Sequence, residues 1–328
     1  MIISVTERGT FRRCKQQWDY ASFNRQGLTS VLPPTALSLG GLVHKCHEEW
    51  LLNPEEPIDE LVIRVCAQGA ADLKERYKSA VGVAPEEVEM NGFWDQCTLV
   101  MEMMINYQSR WGSALPDGYE LLQPEQTIIV PIPGTKHQCK NEAHAFRVPL
   151  LSEQCLDCGG SGELYHWLEG TLDALMRDEG GRVWVLERKT YGNKPREDVL
   201  QQNDQFLAYL WLLSQAFPQM ELGGVFYDGM WKRKLEGKRE LEDLFTRIPL
   251  IRSPEEIKNF GVQVRDEALD MAQPDLRIYR NRAWTGCWDC QFDPLCAAEF
   301  REEDAAYIRE RKYVSRTRHD WLEEAAAD

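Results

Sequence analysis

Two apolar stretches joined by a short turn constrain the fold more than any other feature of the chain. The stretches are YHWLEGTLDALM at 165–176 and RVWVLERKT at 182–190, with DEGG at 178–181 between them. Apolar runs of this length around a glycine-containing turn predict a β-hairpin. Because residues two apart on a strand share a face, we expect Glu187 and Lys189 to point the same way.

The charged residues of this hairpin predict a site for a divalent cation. Pairing of the strands can bring Asp173 beside Glu187. Two carboxylates that converge among apolar side chains repel each other unless a cation lies between them, and oxygen ligands suit Mg²⁺ or Mn²⁺. Lys189 would then stabilise charge on a phosphate or, with a lowered pKa, help to position or deprotonate water. An E-x-K triplet on a solvated strand is the alternative. Hydrolysis of a phosphodiester is favoured over phosphate transfer at this site, because no Gly-rich P-loop occurs in the sequence.

The remaining pattern predicts helices before the hairpin and mixed elements after it. We expect helices at 6–20, from Ser38 to about 52, at 58–80, 85–111, 196–217 and 254–272, and strands at 126–132, 223–229 and 244–251. The expected regions are an N-terminal helical region (1–120), a core (121–252) with a Cys- and His-rich insertion (134–162), and a C-terminal helical region (253–328).

Four motifs, in this order, resemble those of the RecB-like branch of the PD-(D/E)XK nuclease superfamily. They are GLVHKCHEEW, EGTLDAL, LERKTYG and QFLAY, and they span 40–209. The resemblance implies an α/β, restriction-endonuclease-like fold in which helices flank a mixed central sheet. It also implies a metal-dependent deoxyribonuclease, a hydrolase that acts on ester bonds.

The resemblance implies a set of metal ligands. His44, Asp173 and Glu187 would bind Mg²⁺ or Mn²⁺ through their side chains. The backbone carbonyl of Arg188 would be a further ligand. His47 is an alternative to His44, although the G-x-x-H phrasing favours His44.

The same resemblance implies that Asp173 and Glu187 are catalytic and that Lys189 is the catalytic lysine. Gln205 and Tyr209 belong to a Q-x-x-x-Y helix, and their spacing of four places them on one face. They would contact DNA or steady the catalytic groups. Without the other motifs, an exposed glutamine and a core tyrosine would be the ordinary interpretation.

Cysteine spacing predicts a metal site near the C-terminal end. Of ten cysteines, Cys287, Cys290 and Cys296 follow a C-x2-C-x5-C pattern, so a fourth, distant ligand is expected for an iron–sulfur cluster or zinc. The RecB-like nucleases with an iron–sulfur staple, of the AddB and CRISPR-adaptation types, have one cysteine before the core and three after it. Cys14 stands in the matching place. The resemblance implies a structural 4Fe-4S cluster that joins the N- and C-terminal segments, with redox sensing as a further role.

The insertion carries a second group of candidate ligands. Three thiolates and an imidazole at C-x4-H-x10-C-x2-C spacing suit tetrahedral Zn²⁺, with a mobile loop of free thiols as the alternative. A zinc-stabilised protrusion that touches DNA or a partner is the hypothesis. The ligands would be Cys139, His144, Cys155 and Cys158, with His137 as a substitute for His144, whereas Cys46, Cys66 and Cys97 fit core positions.

The charge balance argues against a protein that coats nucleic acid. Lys and Arg number 38 and Asp and Glu 53, a net charge of −15, so DNA contacts must come from local clusters. Trp231 and Trp284 lie beside two clusters and could stack on unpaired bases. The clusters are Arg12, Arg13 and Lys15; Lys232, Arg233 and Lys234; Arg277, Arg280 and Arg282; and Arg309, Arg311 and Lys312.

Two functions follow from these features. The first is an exonuclease or endonuclease on single-stranded or end-frayed DNA, in recombination, repair, CRISPR adaptation or phage DNA processing. The second is an inactive DNA-binding scaffold held by its metal sites. A helicase or recombination partner is expected because no motor motif occurs, and a homo-oligomer is an option. No apolar run approaches the roughly 20 residues of a membrane helix, so we expect a cytoplasmic protein, or a phage-encoded one in the host cytoplasm.

Overall fold

A six-stranded mixed sheet forms the centre of the computed structural model. The structure describes residues 1–31, 35–82, 85, 87–138, 163–237, 239–282, 287 and 290–315, without the side chains of 35–38, 80–81 and 87–89. The strands of the sheet are β1 (Ile2–Ser4), β3 (Tyr119–Pro131), β6 (Trp167–Asp178), β7 (Val183–Tyr191), β8 (Leu222–Trp231) and β9 (Phe245–Leu250). Two small ribbons pair β2 (Leu28–Ser30) with β10 (Tyr313–Ser315), and β4 (His137–Gln138) with β5 (Glu163–Leu164).

The pairing of β6 changes partner in the middle of one edge. Strand β3 runs antiparallel along the whole of one edge. On the other edge, residues 167–169 pair with β1 in parallel and residues 174–177 pair with β7 as the predicted hairpin. Strand β8 pairs with β7 in parallel and with β9 antiparallel, which makes the sheet mixed. Residues 170–173 therefore lie at a split, a stretch of β6 that pairs with neither β1 nor β7 on this edge.

Helices cover both faces of the sheet. Their bounds are α1 (Val5–Arg13), α2 (Lys15–Ala21), α3 (Thr35–Leu52), α4 (Ile58–Val81), α5 (Glu87–Trp111), α6 (Glu197–Leu200), α7 (Asp204–Ala216), α8 (Pro254–Met271), α9 (Asp293–Arg301) and α10 (Ala305–Lys312). The single helix expected at 6–20 is interrupted at Cys14, whose backbone is extended. The helix expected at 196–217 is likewise divided, because the Asn203 side chain caps a new helix at Gln205.

Each face of the sheet has its own hydrophobic core. On one face, side chains of α1, α7 and α8 pack against Val185 and Leu172. On the other, α3, α4 and α5 pack against Leu186 and Ala174. The expected N-terminal helical region thus supplies one whole helical layer, and it also supplies β1 to the sheet.

A third, smaller core joins the two ends of the chain. Tyr20 and Leu28 pack there with Phe292, Leu295 and Tyr313. The β2–β10 ribbon closes this region, and the backbone N–H of Gln16 donates to the carbonyl of Tyr279 at 3.1 Å. Protein contacts therefore hold the N- and C-terminal segments together around the cysteines. Within the described part of the chain, no helix combines the length and apolar character that crossing a membrane requires.

Candidate active site

Asp173 is held at the split in β6 by groups from two other elements. Its Oδ1 lies 3.1 Å from Nδ1 of His44 on α3. Its Oδ2 accepts a 2.6 Å hydrogen bond from the backbone N–H of Arg188 on β7. The last β6–β7 pair is Ala174 with Leu186, so this amide lies beyond the ladder and the carboxylate takes the place of a strand partner.

Glu187 and Lys189 flank that amide and contact each other. Nζ of Lys189 lies 2.5 Å from Oε1 of Glu187, so the two side chains form a close ion pair. Glu187 is 0% exposed, and Lys189 is the only ion-pair partner of its carboxylate among the described residues. A buried carboxylate is costly unless a cation compensates it.

The environment separates the pKa values of the two carboxyl groups. Burial, reinforced by the charge of Asp173 and opposed by Lys189, raises the pKa of Glu187 to about 7. Burial also opposes ionisation of Asp173, but His44, Lys189 and the Arg188 amide together hold its pKa below the usual value. Asp173 is therefore the stronger acid of the two, and Glu187 is the weaker.

The two positive groups of the site stay protonated more readily than usual. Burial lowers the pKa of Lys189, but the charges of Glu187 and Asp173 outweigh it and the net shift is upward. The pKa of His44 is also raised, because Asp173 outweighs the effect of burial. In the absence of a metal, each carboxylate thus pairs with its nearest cation.

The donor set fits a hard divalent cation. Asp173 and Glu187 provide anionic oxygens, and His44 provides a nitrogen. Within the residues that the structure describes, no three His, Cys, Asp or Glu side chains are drawn together at ligand distances. The pairing of His44 with Asp173 and of Lys189 with Glu187 explains this, since a cation would have to displace the ammonium from Glu187.

The Q-x-x-x-Y residues lie on α7, against the β6 strand. Nε2 of Gln205 donates to the Tyr209 hydroxyl at 2.6 Å. Burial raises the pKa of Tyr209, as do the charges of Glu187 and Asp173, so its hydroxyl keeps its proton. Gly170 allows this approach, because a Cβ there would lie 2.5 Å from Cδ1 of Leu212 and 3.4 Å from the Tyr209 ring.

His47, the alternative to His44, lies in the core of the helical layer. It is 0% exposed, its Nε2 lies 3.2 Å from Sδ of Met230, and its ring packs edge-on against Tyr107. Burial lowers its pKa well below the usual value. Unlike His44, it forms no hydrogen bond or ion pair with Asp173 in the described part of the chain, and its surroundings are those of a structural histidine.

A buried polar network behind the site was not anticipated from the sequence. The Arg188 side chain crosses to the helical layer, donates to the Ala114 carbonyl at 2.6 Å and lies 4.0 Å from Oδ2 of Asp228. Asp228 also accepts from the Tyr107 hydroxyl and, at 3.3 Å, from Nε of Arg247. The only sequence signal was an aspartate inside the apolar run GGVFYDG.

A groove of about 920 Å³ opens from the site between β7 and the helical layer. His44, Lys189 and Thr190 lie at its inner end, and α3 and α4 form one wall. Glu125 of β3 and Lys232, just after β8, also line it. Burial, together with Glu48 and Asp173, raises the pKa of Glu125. The sequence pattern did not identify Glu125, and it identified Lys232 only as one member of a basic cluster.

The four cysteines predicted as cluster ligands line one cavity, although no three of them lie at metal-ligand distances from one another within the described residues. Cys14, Cys287, Cys290 and Cys296 line a single cavity of about 70 Å³. The backbone N–H of Asn281 lies 3.4 Å from Sγ of Cys14. Burial raises the pKa of the Cys290 and Cys296 thiols, and the neighbouring Cys14 adds to both shifts.

The other predicted sites have mixed outcomes. The Trp231 ring already has protein partners, since its indole N–H donates to the Gly192 carbonyl at 2.7 Å and Arg233 and Arg239 lie over its ring face. Arg12 is paired with Asp204. Cys46 and Cys66 are buried in the helical core as expected. Cys139, His144, Cys155, Cys158 and Trp284 lie outside the described residues.

Comparison with known proteins agrees with this geometry. A model of the PD-(D/E)XK nuclease superfamily matches residues 2–297. The solved structure of SSO0001 is similar over 79% of this chain and 95% of its own, with 14% identity and a TM-score of 0.31, a likeness too distant to carry an argument. No curated protein matches the chain. The match across nearly its whole length shows that the chain belongs to the PD-(D/E)XK nuclease superfamily.

Proposed function

We propose that this protein is a metal-dependent deoxyribonuclease that hydrolyses phosphodiester bonds with Mg²⁺ or Mn²⁺, acting as an exonuclease on single-stranded or end-frayed DNA. One observation carries the proposal: the buried carboxylate of Glu187, paired with Lys189, lies beside the His44–Asp173 pair, so two carboxylates, an imidazole and an ammonium meet at one place in the sheet. Members of the superfamily are typically nucleases that use these metals, which supports the same conclusion. The preference for ends and single strands rests on the resemblance of the motifs.

The metal would be held by the side chains of His44, Asp173 and Glu187 and by the backbone carbonyl of Arg188. When bound, Mg²⁺ or Mn²⁺ supplies positive charge that offsets the charge of the scissile phosphate. The Arg188 amide keeps the Asp173 carboxylate turned toward the site. Because burial raises the pKa of Glu187, the positive charge of a bound metal would favour its ionised form at neutral pH.

Lys189 acts in this proposal as a fixed positive charge. Its raised pKa favours stabilisation of the charge that grows on the phosphate, rather than removal of a proton from water. Tyr209, with its hydroxyl protonated and held by Gln205, has a proton to donate within the site. Gln205 and Tyr209 would therefore steady the catalytic groups or contact the DNA strand.

We also propose that Cys14, Cys287, Cys290 and Cys296 hold a 4Fe-4S cluster. Support comes from the four thiols around one small cavity, and from Arg13, Arg280 and Arg282 in its lining, which would offset the negative charge of a thiolate-bound cluster. A zinc ion held by the same thiols is the alternative. On sequence grounds alone, Zn²⁺ is proposed for Cys139, His144, Cys155 and Cys158. Partners, oligomeric state and pathway stay predictions.

The test is degradation of end-labelled single-stranded and duplex DNA with Mg²⁺ or Mn²⁺. We expect the wild type to degrade DNA and Glu187→Ala and Lys189→Ala to be inactive while they remain folded. Glu179→Ala, in the exposed turn of the same hairpin, is the matched control and should keep full activity. Substrates blocked at the 5′ or the 3′ end separate exonuclease polarity from endonuclease action. A wild type that is inert with every metal and substrate end contradicts the proposal and favours a DNA-binding scaffold.

A further inference from the structure

The groove beside the catalytic residues is lined by carboxylates and, apart from His44, by an equal number of lysine and arginine side chains. A DNA strand that enters it meets carboxylates as well as cations, so few positions can bind phosphate. Its acidic lining residues are Glu48, Glu49, Asp72 and Glu125, and its basic ones are Lys45, Arg64, Lys189 and Lys232.

Three of the four basic side chains are already neutralised by nearby carboxylates. Lys45 lies 3.1 Å from Glu48, Arg64 lies 2.6 Å from Glu56, and Lys189 lies 2.5 Å from Glu187. Lys232 differs from all of them, since in the described ranges no carboxylate oxygen lies within 4.0 Å of its Nζ. It is the groove cation whose charge is open to a ligand.

A backbone hydrogen bond fixes the position of Lys232 next to the end of β7. Its N–H donates to the carbonyl of Tyr191 at 2.9 Å, so it is tied to the end of β7, two residues after Lys189. The neighbouring Trp231 indole donates to the Gly192 carbonyl, which holds the same turn from the other side. Lys232 is half-buried, and that burial lowers its pKa. An ammonium that has lost water without gaining a counterion gains most from an incoming anion.

We propose that Lys232 binds a backbone phosphate of the substrate strand, at a position in the groove distinct from the scissile phosphate that Lys189 would face. This inference rests on the proposed function, because it takes the ligand of the groove to be DNA. A contact to phosphate carries no base information, so the contribution of Lys232 is independent of sequence.

The same loop provides a matched control. Lys234 is two residues away and carries the same charge, but it is paired with Glu102 at 2.7 Å and does not line the groove. A change of Lys234 to alanine alters the net charge by the same amount as a change of Lys232. Any difference between the two variants therefore reports the position of the charge.

The experiment measures binding of two unrelated fluorescent single-stranded oligonucleotides to the full-length protein in EDTA, between about 50 and 200 mM NaCl, a range over which the affinity of phosphate contacts falls steeply. We expect Lys232→Ala to weaken binding of both oligonucleotides about three- to tenfold and to reduce the slope of log K against log salt by about 0.7, the share of one phosphate contact on a single strand. Lys232→Arg should restore the slope, and Lys234→Ala should leave it unchanged.

Other outcomes overturn the inference. If Lys232→Ala binds with wild-type affinity and slope while the wild type cleaves DNA, the phosphate contact is absent and the proposed function stands. A loss confined to one oligonucleotide sequence, or an equal loss in Lys234→Ala, also contradicts it. If the wild type neither binds nor cleaves DNA, the proposed function fails first. Thermal unfolding of each variant shows whether it is folded.

Discussion

The backbone N–H of Arg188 donates to Oδ2 of Asp173 at 2.6 Å, so the amide between Glu187 and Lys189 holds the carboxylate of the neighbouring strand. The side chain of the same arginine is anchored on the opposite face of the sheet, at the Ala114 carbonyl and near Asp228. The position of β7 beside Asp173 therefore depends on a buried charged network on the opposite face of the sheet.

Loss of the central charge of this network should destabilise the fold. The side chains of Asp228, Arg188 and Arg247 are all at most 10% exposed. Asp228→Asn therefore leaves two buried guanidinium groups without the anion that lies between them. We expect the free energy of unfolding to fall by about 3–5 kcal/mol, measured by urea denaturation. Asp198→Asn is the control: its ion pair with Arg196 is exposed, so a change within about 0.5 kcal/mol is expected. Equal effects of the two substitutions would contradict this account.

The raised pKa of Glu187 predicts an unusual dependence of stability on pH. A carboxyl group whose pKa rises on folding, here from 4.5 to about 7, stabilises the fold in its protonated form, and that contribution is lost as pH rises through this window. Metal-free Glu187→Gln should therefore be more stable than the wild type at pH 8 and should lose that advantage below about pH 4.5; loss of the ion pair with Lys189 makes the difference smaller than the pKa shift alone implies.

Addition of metal should reverse that order. Mn²⁺ is expected to raise the unfolding midpoint of the wild type at pH 8 and to leave Glu187→Gln nearly unchanged, because the amide cannot replace the anionic ligand. Differential scanning fluorimetry with and without EDTA measures both effects. A variant less stable than the wild type at pH 8 in EDTA would show that Glu187 is compensated by the protein alone.

The two histidines of α3 should separate in their effects. His44→Ala removes a partly exposed contact with Asp173, so stability should change by no more than about 1 kcal/mol, while the cleavage rate falls about 100-fold or more. His47→Ala leaves a cavity in the core and should cost about 2–4 kcal/mol of stability, with the activity of the folded fraction retained. Urea denaturation and a nuclease assay on both variants measure these effects. The reverse pattern would make His47 the metal ligand and His44 the structural residue.

Local features of the site could be predicted from the sequence, whereas long-range ones could not. The period of two in VWVLERKT and the glycine turn are local, and they lead directly to the Glu187–Lys189 contact. The split in β6 depends on β1, which comes from the far end of the chain, so no local pattern indicates it. Lys232 appeared in the sequence as one of three equivalent cations, and only its surroundings distinguish it from Lys234.

The cysteine cavity gives a prediction that can be checked by eye. Protein purified without oxygen should be brown and contain iron, and Cys14→Ser should lose both properties because it removes one of the four thiols around the cavity. Cys97→Ser is the control, since Cys97 packs with the helical core, and it should keep the colour. Iron analysis and visible absorption provide the measurement. A colourless protein with stoichiometric zinc at these thiols would contradict the cluster.

Gly170 lies where β6, the strand of Asp173, packs closely against α7, the helix that carries Gln205 and Tyr209. In Gly170→Ala, the new methyl would lie 2.5 Å from Cδ1 of Leu212 and 3.0 Å from Cγ2 of Val5, so the Leu212 side chain, or the helix α7 that carries it, must shift. We expect a loss of about 1–3 kcal/mol in the free energy of unfolding, together with lower activity because the Tyr209 hydroxyl shifts relative to Glu187. Gly9→Ala is the matched control: nothing lies within 4 Å of its Cβ, and it is inside α1, so it should stabilise the protein by about 0.5–1 kcal/mol. Because both are glycine-to-alanine changes, opposite signs in urea denaturation would identify close packing of α7 on β6 as the reason for glycine at 170, and equal signs would refute it.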